Sequence, residues 1–456
     1  MSKKSKKKSE VLLQIFKIFY VLFQIGIFAV TWLEAQDIYF WSGKTTIVLV
    51  VVFATFLLAF LMTYSAFDIN KTKTMDLCVK HMLSLGLSDF IIFAIIVIAL
   101  KHLPDVSDIV FMVPVQVAVT VIWCMLARKL HFMLHPAAEA MVVYYDERAF
   151  EPIKPIYKDT KNYHVIKTIN LAEYEGDMSL LKEILTEAEV VFLCGISIQN
   201  RNDIFKFLIE NNKKVVVRPS IGDVLVSTAE REYICNVPVL TYSSADKSMM
   251  TLFMKRLTDI VASALMLLVA SPVMLCVALA IKLEDKGPVF YKQKRLTKDA
   301  KVFEIIKFRS MRVDAEKDGV ARLASDNDSR ITKVGKIIRA TRLDELPQLI
   351  NILKGEMSLI GPRPERPEIA AEYEKDMPEF ALRLQVKAGL TGYAQVYGKY
   401  NTPPYDKVQM DLMYIANQNI LEDIKLMLIT FKILFIPSST EGVSENQKTA
   451  KRESEK

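Results

Sequence analysis

Apolar residues gather into five long runs and, in one middle stretch, into short alternating ones. Four long runs fall in the first third, at 11–33, 46–67, 87–100 with its flanks, and 109–127. Each approaches the ~20 residues that span a hydrocarbon core, so the pattern predicts a four-helix transmembrane domain over residues 1–135. Bases punctuate these runs unequally. Lys71, Lys73 and Lys80 lie between the second and third, and Arg128 and Lys129 follow the fourth, whereas the loops at 34–44 and 101–108 are poorer in base. Basic flanks stay on the cytoplasmic side, which places both ends of the unit there. The opening MSKKSKKKSE reads as a basic cytoplasmic tail, because no small-residue cleavage site follows its apolar run. Lys17 and Asp89 fall inside apolar runs, as a functional relay or as snorkelling or polar helix contacts.

The fifth run, 257–281, has bases on both sides: Lys255 and Arg256 before it, Lys282, Lys286, Lys292, Lys294 and Arg295 after it. A spanning helix would push one of these basic flanks outward. Ser271-Pro272 sits near its middle, where proline removes a backbone donor and serine can satisfy the freed carbonyl. The pattern predicts a re-entrant helix over about 255–282, against the alternative of a kinked spanning helix. A last apolar stretch, 420–435, carries Asp423, Lys425 and Lys432 and suits a helix lying in the membrane interface. The polar stretch 438–456 is expected to be a disordered tail.

Between these runs, over 136–248, the pattern switches to βα alternation. MVVYYD, HVIKTI, VVFLCGI and KVVVRPS read as buried strands, and LLKEILTEAEV and NDIFKFLIENN as amphipathic helices, hence a small parallel sheet. Asp146-Glu147-Arg148-Ala149 follows the first strand where a Rossmann-like domain would place its glycine-rich phosphate turn. The domain is therefore Rossmann-like without its glycine motif, a scaffold, dimerisation or regulatory unit rather than a nucleotide site.

Composition supports a membrane–cytosol hybrid. In 456 residues, 51% are hydrophobic and 24% charged, which excludes disorder for most of the length, and 15 glycines exclude collagen-like chains. The net charge of +7 points to an anionic membrane surface, with no nucleic acid partner. Five cysteines (Cys78, Cys124, Cys194, Cys235, Cys276) form no CxxC pair and read as buried free thiols in a reducing compartment.

Candidate chemistry concentrates between Lys292 and Gly398, while all five histidines lie upstream. KFRSM places Lys307 and Arg309 at alternate positions of a strand-like run, and so on one face. A second cluster runs from Lys333 through Arg339, Arg342, Asp344 and Glu345 to Gln348. GPRPE holds Arg363 between two prolines, which fix the backbone around a guanidinium suited to an oxyanion. Leu346, Leu349, Ile350 and Leu353 recur at helical spacing, with Gly355 as a stop and Asp344 at the N-cap. There, two carboxylates could bind Mg²⁺ with a diphosphate, one could attack phosphorus, or Asp344 could be a capping residue among surface arginines.

RATRLDELPQLINILKGEMSLIGPRPE, with the upstream KFRSM and the downstream VKAGLTGYAQVYGKYNTPPYDK, resembles the bacterial sugar transferase family over about 250–437. These are polyprenyl-phosphate hexose-1-phosphate transferases that initiate exopolysaccharide, capsule or O-antigen units, and the N-terminal regions resemble the family's long form. The resemblance implies a C-terminal α+β catalytic domain over 249–437 with a re-entrant membrane helix broken at Ser271 and Pro272. It implies catalysis by Asp344, the nucleophile on the β-phosphorus of a UDP-sugar, and by Glu345, which supports Mg²⁺ or proton handling. Asp344 and Glu345 would be the metal ligands, and Arg363, Lys307, Arg309, Arg339 and Arg342 the anion contacts. Gln348, Thr391 and Gln395 complete the substrate-binding set, with Gly389 and Gly392 in the later glycine-rich segment. Hexose-1-phosphate from UDP-glucose or UDP-galactose would pass to undecaprenyl phosphate through an aspartyl phospho-sugar, releasing UMP. The implied setting is the bacterial cytoplasmic membrane, with the catalytic domain on the cytoplasmic face of the bilayer. Apart from the resemblance, a homodimer through the middle domain or bundle is the expected assembly. The alternatives are a non-catalytic membrane assembly or regulatory protein, and glycosyl transfer that releases UDP. Two sites depart from the family pattern. QKRLTKDA lacks the glycines of Q-x-R-x-G-x-x-G, which implies a differently shaped loop, and KAGLTG has Ala388 where proline is usual.

Overall fold

The structure, a computed structural model, describes residues 3–34, 43–70, 72–105, 107–174, 177–227, 229–241, 248–313, 330–398 and 402–433. The tail expected at 438–456 lies outside them. Two compact units divide the chain after Pro219.

The first unit opens with α1 (Lys3–Glu34), α2 (Gly43–Thr63), α3 (Thr74–Leu100) and α4 (Ser107–Leu134). Their shared core is apolar, with Phe28 stacked on Phe53 at 4.0 Å between ring centres and Leu57, Leu61, Ile92 and Ile96 fully enclosed. Helix α3 begins 13 residues before the apolar run at 87–100. Its inward face, Leu77, His81, Leu85, Ser88, Ile92 and Ile96, keeps helical spacing, but polar members hide that face from a hydropathy reading. Lys80 therefore lies within the helix rather than in a loop, buried, with Nζ donating to the Ser65 carbonyl at 3.0 Å. The two ionisable residues of the apolar runs meet neighbouring segments: Gln116 of α4 donates to Asp89 at 3.5 Å, and the Lys17 ammonium lies 5.7 Å from the ring centre of Phe67, in the turn after α2. Cys78, Cys124 and Cys194 are buried free thiols as expected, but Cys235 and Cys276 are exposed.

Beyond the bundle come β1 (Ala138–Tyr144), α5 (Glu147–Phe150), β2 (Tyr163–Asn170), α6 (Met178–Leu185), β3 (Val190–Cys194), α7 (Ile198–Glu210) and β4 (Lys214–Val217). The strands form one parallel sheet in the order β2-β1-β3-β4. Asp146, in place of a phosphate-binding glycine, caps α5 by accepting from the Arg148 amide at 2.9 Å. Gly195 faces the same turn with φ at +61°, and a Cβ there would come within 2.5 Å of the Ala149 Cβ.

The second unit contains α8 (Ile221–Ser227), the hairpin β5 (Glu230–Ile234)–β6 (Val237–Thr241), and α9 (Met249–Asp285), followed by β7 (Phe290–Leu296), β8 (Val302–Phe308) and α10 (Lys333–Ala340). It continues with α11 (Gln348–Lys354), β9 (Ser358–Ile360), α12 (Pro367–Asp376), β10 (Gly389–Thr391), α13 (Tyr393–Val396), α14 (Pro404–Ala416) and α15 (Ile420–Ile433). Ile221 and Val224 of α8 join the core around Leu349, Ile352, Val408 and Leu412, so residues from Ser220 onward pack with this unit rather than with the sheet.

Among the described residues, four helices are long and apolar enough to cross a membrane: Lys8–Trp32, Thr74–Leu100, Ile109–Leu134 and Met249–Asp285. Ile47–Thr63 is apolar but shorter. Helix α9 runs through Pro272, with the Ser271 hydroxyl donating to the Leu268 carbonyl at 2.8 Å. Its two ends are tied down chemically while its middle is bare. Near the start, the Asp259 carboxylate accepts from the Leu359 amide at 3.0 Å and the Ser358 hydroxyl at 3.1 Å, and Arg256 donates to the Ile352 and Leu353 carbonyls at the end of α11. At the far end, Glu284 accepts from the Lys333 amide at 2.8 Å and so caps α10.

The turn between β7 and β8 holds Asp299 and Ala300 in the left-handed region, at φ 57° and 56°. Ala300 stands where the family pattern has its second glycine. A Cβ in this conformation costs about 1–2 kcal/mol, partly offset by the greater unfolded-state freedom of glycine. Ala300→Gly should therefore raise stability by about 0.5–1 kcal/mol, read as a higher melting temperature of the detergent-solubilised protein.

Candidate active site

The site is built where β8 meets the segment between α10 and α11. After α10, Arg342 turns the chain with φ at 55°, and a short 3-10 turn, Leu343–Glu345, carries both carboxylates. Asp344 is thus not the N-cap expected from the sequence. Helix α11 starts only at Gln348, capped by Pro347 without a side-chain bond, and stops at Gly355 (φ 87°) as expected. The left-handed Arg342 resets the chain direction, which sequence periodicity does not register.

Lys307 projects from β8 on the face of Phe303 and Ile305 and places Nζ 3.3 Å from Glu345 Oε1. The same oxygen accepts from Arg363 Nη2 at 2.8 Å, so one carboxylate bridges two cations brought from β8 and from the GPRP loop. Burial alone would raise the Glu345 carboxyl, but Arg363 and Lys307 outweigh it and hold the group well below the usual carboxylate range. Asp344 behaves oppositely. Burial, reinforced by the neighbouring Glu345 charge, pushes it up to about 6, opposed by Lys307, Arg339 and Arg363. The ammonium of Lys307 is lowered, chiefly by burial. Two adjacent carboxylates therefore differ: Glu345 is a fixed anion that organises cations, and Asp344 titrates close to neutrality without a bonded partner among the described residues.

The remaining expected site residues divide. Arg339 and Arg342 act through their fields, Arg339 on Asp344 and Arg342 on Glu345. Arg309 does not join Lys307, because β8 ends at Phe308 and the alternation ends with it. Its buried guanidinium pairs instead with Asp285 at the end of α9. Gln348 is buried in the first turn of α11 with Nε2 unpaired among the described residues. Thr391 and Gln395 point elsewhere, Thr391 Oγ1 to the Thr430 hydroxyl at 2.9 Å and Gln395 Nε2 to the Leu390 carbonyl at 3.0 Å. The later glycine-rich segment packs backbone against backbone on the GPRP loop. A Cβ on Gly389 would lie 2.1 Å from the Gly361 amide nitrogen, and one on Gly392 2.2 Å from the Gly361 carbonyl oxygen.

Sequence reasoning missed the residues that hold these groups. Asn351 accepts from the Ile306 amide at 3.0 Å and donates to the Glu304 carbonyl at 2.8 Å, standing in for a strand along the open edge of β8. Lys255 donates to Asp423 at 2.7 Å and to the Ile360 carbonyl at 3.1 Å, with Tyr414 bonding the same two groups. Asp423, one of the charges in the stretch expected to lie in the membrane interface, is buried on Lys255, and a carboxylate inside an apolar helix was the available signal.

The two departures from the family pattern meet in space. The Thr297 hydroxyl donates to the Glu356 carbonyl at 3.0 Å and accepts from the buried Ala388 amide at 3.1 Å. Glycine at 297 has no acceptor to offer, and proline at 388 has no N–H to donate.

Comparison with known proteins bears on the region that carries this arrangement. The bacterial sugar transferase family matches residues 250–437. An exopolysaccharide production protein PSS of Rhizobium leguminosarum is 42% identical over 192 residues, 40% of this chain and 94% of the relative. The chain belongs to the bacterial sugar transferase family. Within that family, the UDP-glucose:undecaprenyl-phosphate glucose-1-phosphate transferase of Escherichia coli is 39% identical over 228 residues, 49% of each chain. A UDP-N-acetylgalactosamine-undecaprenyl-phosphate N-acetylgalactosaminephosphotransferase of Aeromonas hydrophila is 43% identical over 185 residues, 40% of this chain and 43% of the relative. The alignments to these two family members span about half the length of each relative or less. The matched region coincides with the segment carrying Lys307, Asp344, Glu345 and Arg363.

Proposed function

We propose that this chain transfers a hexose-1-phosphate from a UDP-sugar to undecaprenyl phosphate, releasing UMP. The observation that carries the proposal is the pair of unlike carboxylates, with Glu345 locked between Lys307 and Arg363 and Asp344 beside them without a bonded partner among the described residues. An Asp344 carboxylate oxygen attacks the β-phosphorus, and the bond from that phosphorus to the bridging oxygen breaks. UMP leaves with the bridging oxygen. An oxygen of the lipid phosphate then attacks the same phosphorus and expels Asp344, restoring the enzyme. Arg363 and Lys307 meet the anionic oxygens of the transferred group.

Mg²⁺ fits the donor set. It favours one or two carboxylates together with substrate phosphates, and Asp344 and Glu345 are adjacent oxygen donors without a third carboxylate, histidine or cysteine grouped beside them among the described residues. When bound, the metal would offset the charge of the diphosphate.

Helix α9 supports the membrane setting. With both ends tied to the catalytic unit and Leu268, Val269, Leu275 and Leu279 exposed between them, α9 suits a helix that dips into the cytoplasmic leaflet about Ser271-Pro272 and returns. On this reading the carboxylates work at headgroup level on the cytoplasmic face. The parallel sheet of the first unit serves as a Rossmann-like scaffold, and the chain works as a homodimer. The donor is UDP-glucose or UDP-galactose. The test is a panel of UDP-sugars, including the N-acetylated hexoses, incubated with purified protein, Mg²⁺ and polyprenyl phosphate. UMP is the expected nucleotide product, abolished by EDTA and restored by excess Mg²⁺. UDP as product would replace the proposal by glycosyl transfer, and release of neither nucleotide would favour a non-catalytic assembly role.

A further inference from the structure

We propose that the buried Arg383–Asp411 pair is the positioning element that aims Arg363 at the transferred phosphate, a role resting on the reading of Arg363 as the phosphate-holding arginine. The argument begins with the two prolines. Pro362 and Pro364 lack N–H groups, so the loop must be anchored largely through its carbonyls. Each carbonyl from 360 to 365, Gly361 apart, accepts a hydrogen bond from a described residue. Lys255 and Tyr414 hold Ile360, the Gly389 amide holds Pro362 at 2.9 Å, Arg295 holds Pro364 at 3.0 Å, and the Leu296 amide holds Glu365 at 2.9 Å. For Arg363 itself the donor is Arg383 Nη2, at 3.0 Å.

This bond matters more than the others for aim. A residue before proline is already confined to extended ψ, and the following ring fixes the next φ. The peptide plane between Arg363 and Pro364 can then swing only by carrying the Arg363 carbonyl away from Arg383. Arg383 is itself immobile. The same Nη2 meets Asp411 at 2.6 Å, both side chains are almost fully buried, and the guanidinium lies 4.8 Å from the Phe380 ring centre. Asp411 comes from α14, so a helix outside the carboxylate cluster fixes the orientation of a loop within it. Neither residue touches Glu345 or Asp344. Their effect on chemistry would pass through the backbone of Arg363.

Breaking one member of a buried pair leaves an uncompensated charge, whereas replacing both by apolar residues of similar volume is often neutral. The informative variant of the full-length chain is therefore the double substitution Arg383→Met with Asp411→Leu. It should keep its melting temperature within a few degrees and lose about 10–100-fold in kcat/KM for UMP release, the scale of a misaimed catalytic group. A second variant, Arg383→Lys, keeps the charge beside Asp411 but offers one ammonium in place of the planar fork, and should lose activity in the same direction. Each change is repeated in an Arg363→Ala background, where a positioning role predicts less than about a twofold further effect. Equal losses in both backgrounds would show a general packing role and overturn the proposal, as would full activity of both variants. Full activity of Arg363→Ala alone would instead remove the reading of Arg363 and this proposal with it, and the two failures are told apart by which background carries the loss.

Discussion

Asp344→Asn is expected to abolish UMP release, by at least about a thousandfold, while the protein stays folded and bound to membranes. The amide keeps the volume of the side chain but cannot form the phospho-enzyme bond, and the adjacent carboxylate cannot take over. Glu345 is held between Lys307 and Arg363 and kept anionic by them, so it is a poor substitute for a free nucleophile. Turnover in Asp344→Asn comparable to the wild type would end the assignment. A pH profile gives an independent check. With the Asp344 carboxyl raised to about 6 by burial and then by Glu345, the free enzyme loses its nucleophilic anion as pH falls through that value. The kcat/KM profile should therefore show an acid limb with its midpoint near 6. Glu345→Gln removes the repelling charge and should move that midpoint toward lower pH, whatever it does to the maximum rate. A profile flat through this region would contradict the account.

Arg363→Ala should lower kcat/KM by about 100–1,000-fold, the usual cost of removing one preorganised donor from a developing oxyanion. The side chain is 44% exposed and Lys307 remains on the buried Glu345 carboxylate, so the loss belongs mainly to chemistry and the melting temperature should fall only modestly. Arg363→Lys should rescue little. A single ammonium cannot present the planar fork that meets both Glu345 and a phosphate oxygen. Near-complete rescue by lysine would mean that charge alone matters at this position, and the geometric account of the double-proline loop would fall.

Much of this was legible in the sequence because it depends on local pattern. Length and hydropathy marked the long apolar helices, period-two and helical runs marked the parallel sheet, and the density of Arg, Lys and carboxylates marked the candidate site. What stayed hidden depends on pairs remote in sequence. Lys255 and Asp423 are 168 positions apart, Arg383 and Asp411 are 28 apart, and nothing in either neighbourhood signals its partner. Local rules misled in two instructive places. Alternation put Arg309 beside Lys307, but the strand ends between them and the guanidinium turns to Asp285. The spacing of apolar residues put Asp344 at a helix cap, but the left-handed Arg342 inserts a 3-10 turn first. In both cases a backbone event of one residue decided which functional side chains meet.

The bond between Thr297 and Ala388 bears on how such a chain can change over time. From a form with glycine at 297 and proline at 388, installing alanine first would bury an amide with no acceptor, at about 1–3 kcal/mol. Installing threonine first leaves only a spare acceptor, since its hydroxyl already has the Glu356 carbonyl to donate to. The order threonine then alanine is therefore the passable one, and the reverse step, from threonine back to glycine, is blocked for as long as alanine remains. A pair of substitutions that looks like relaxation of two motifs is in effect a ratchet.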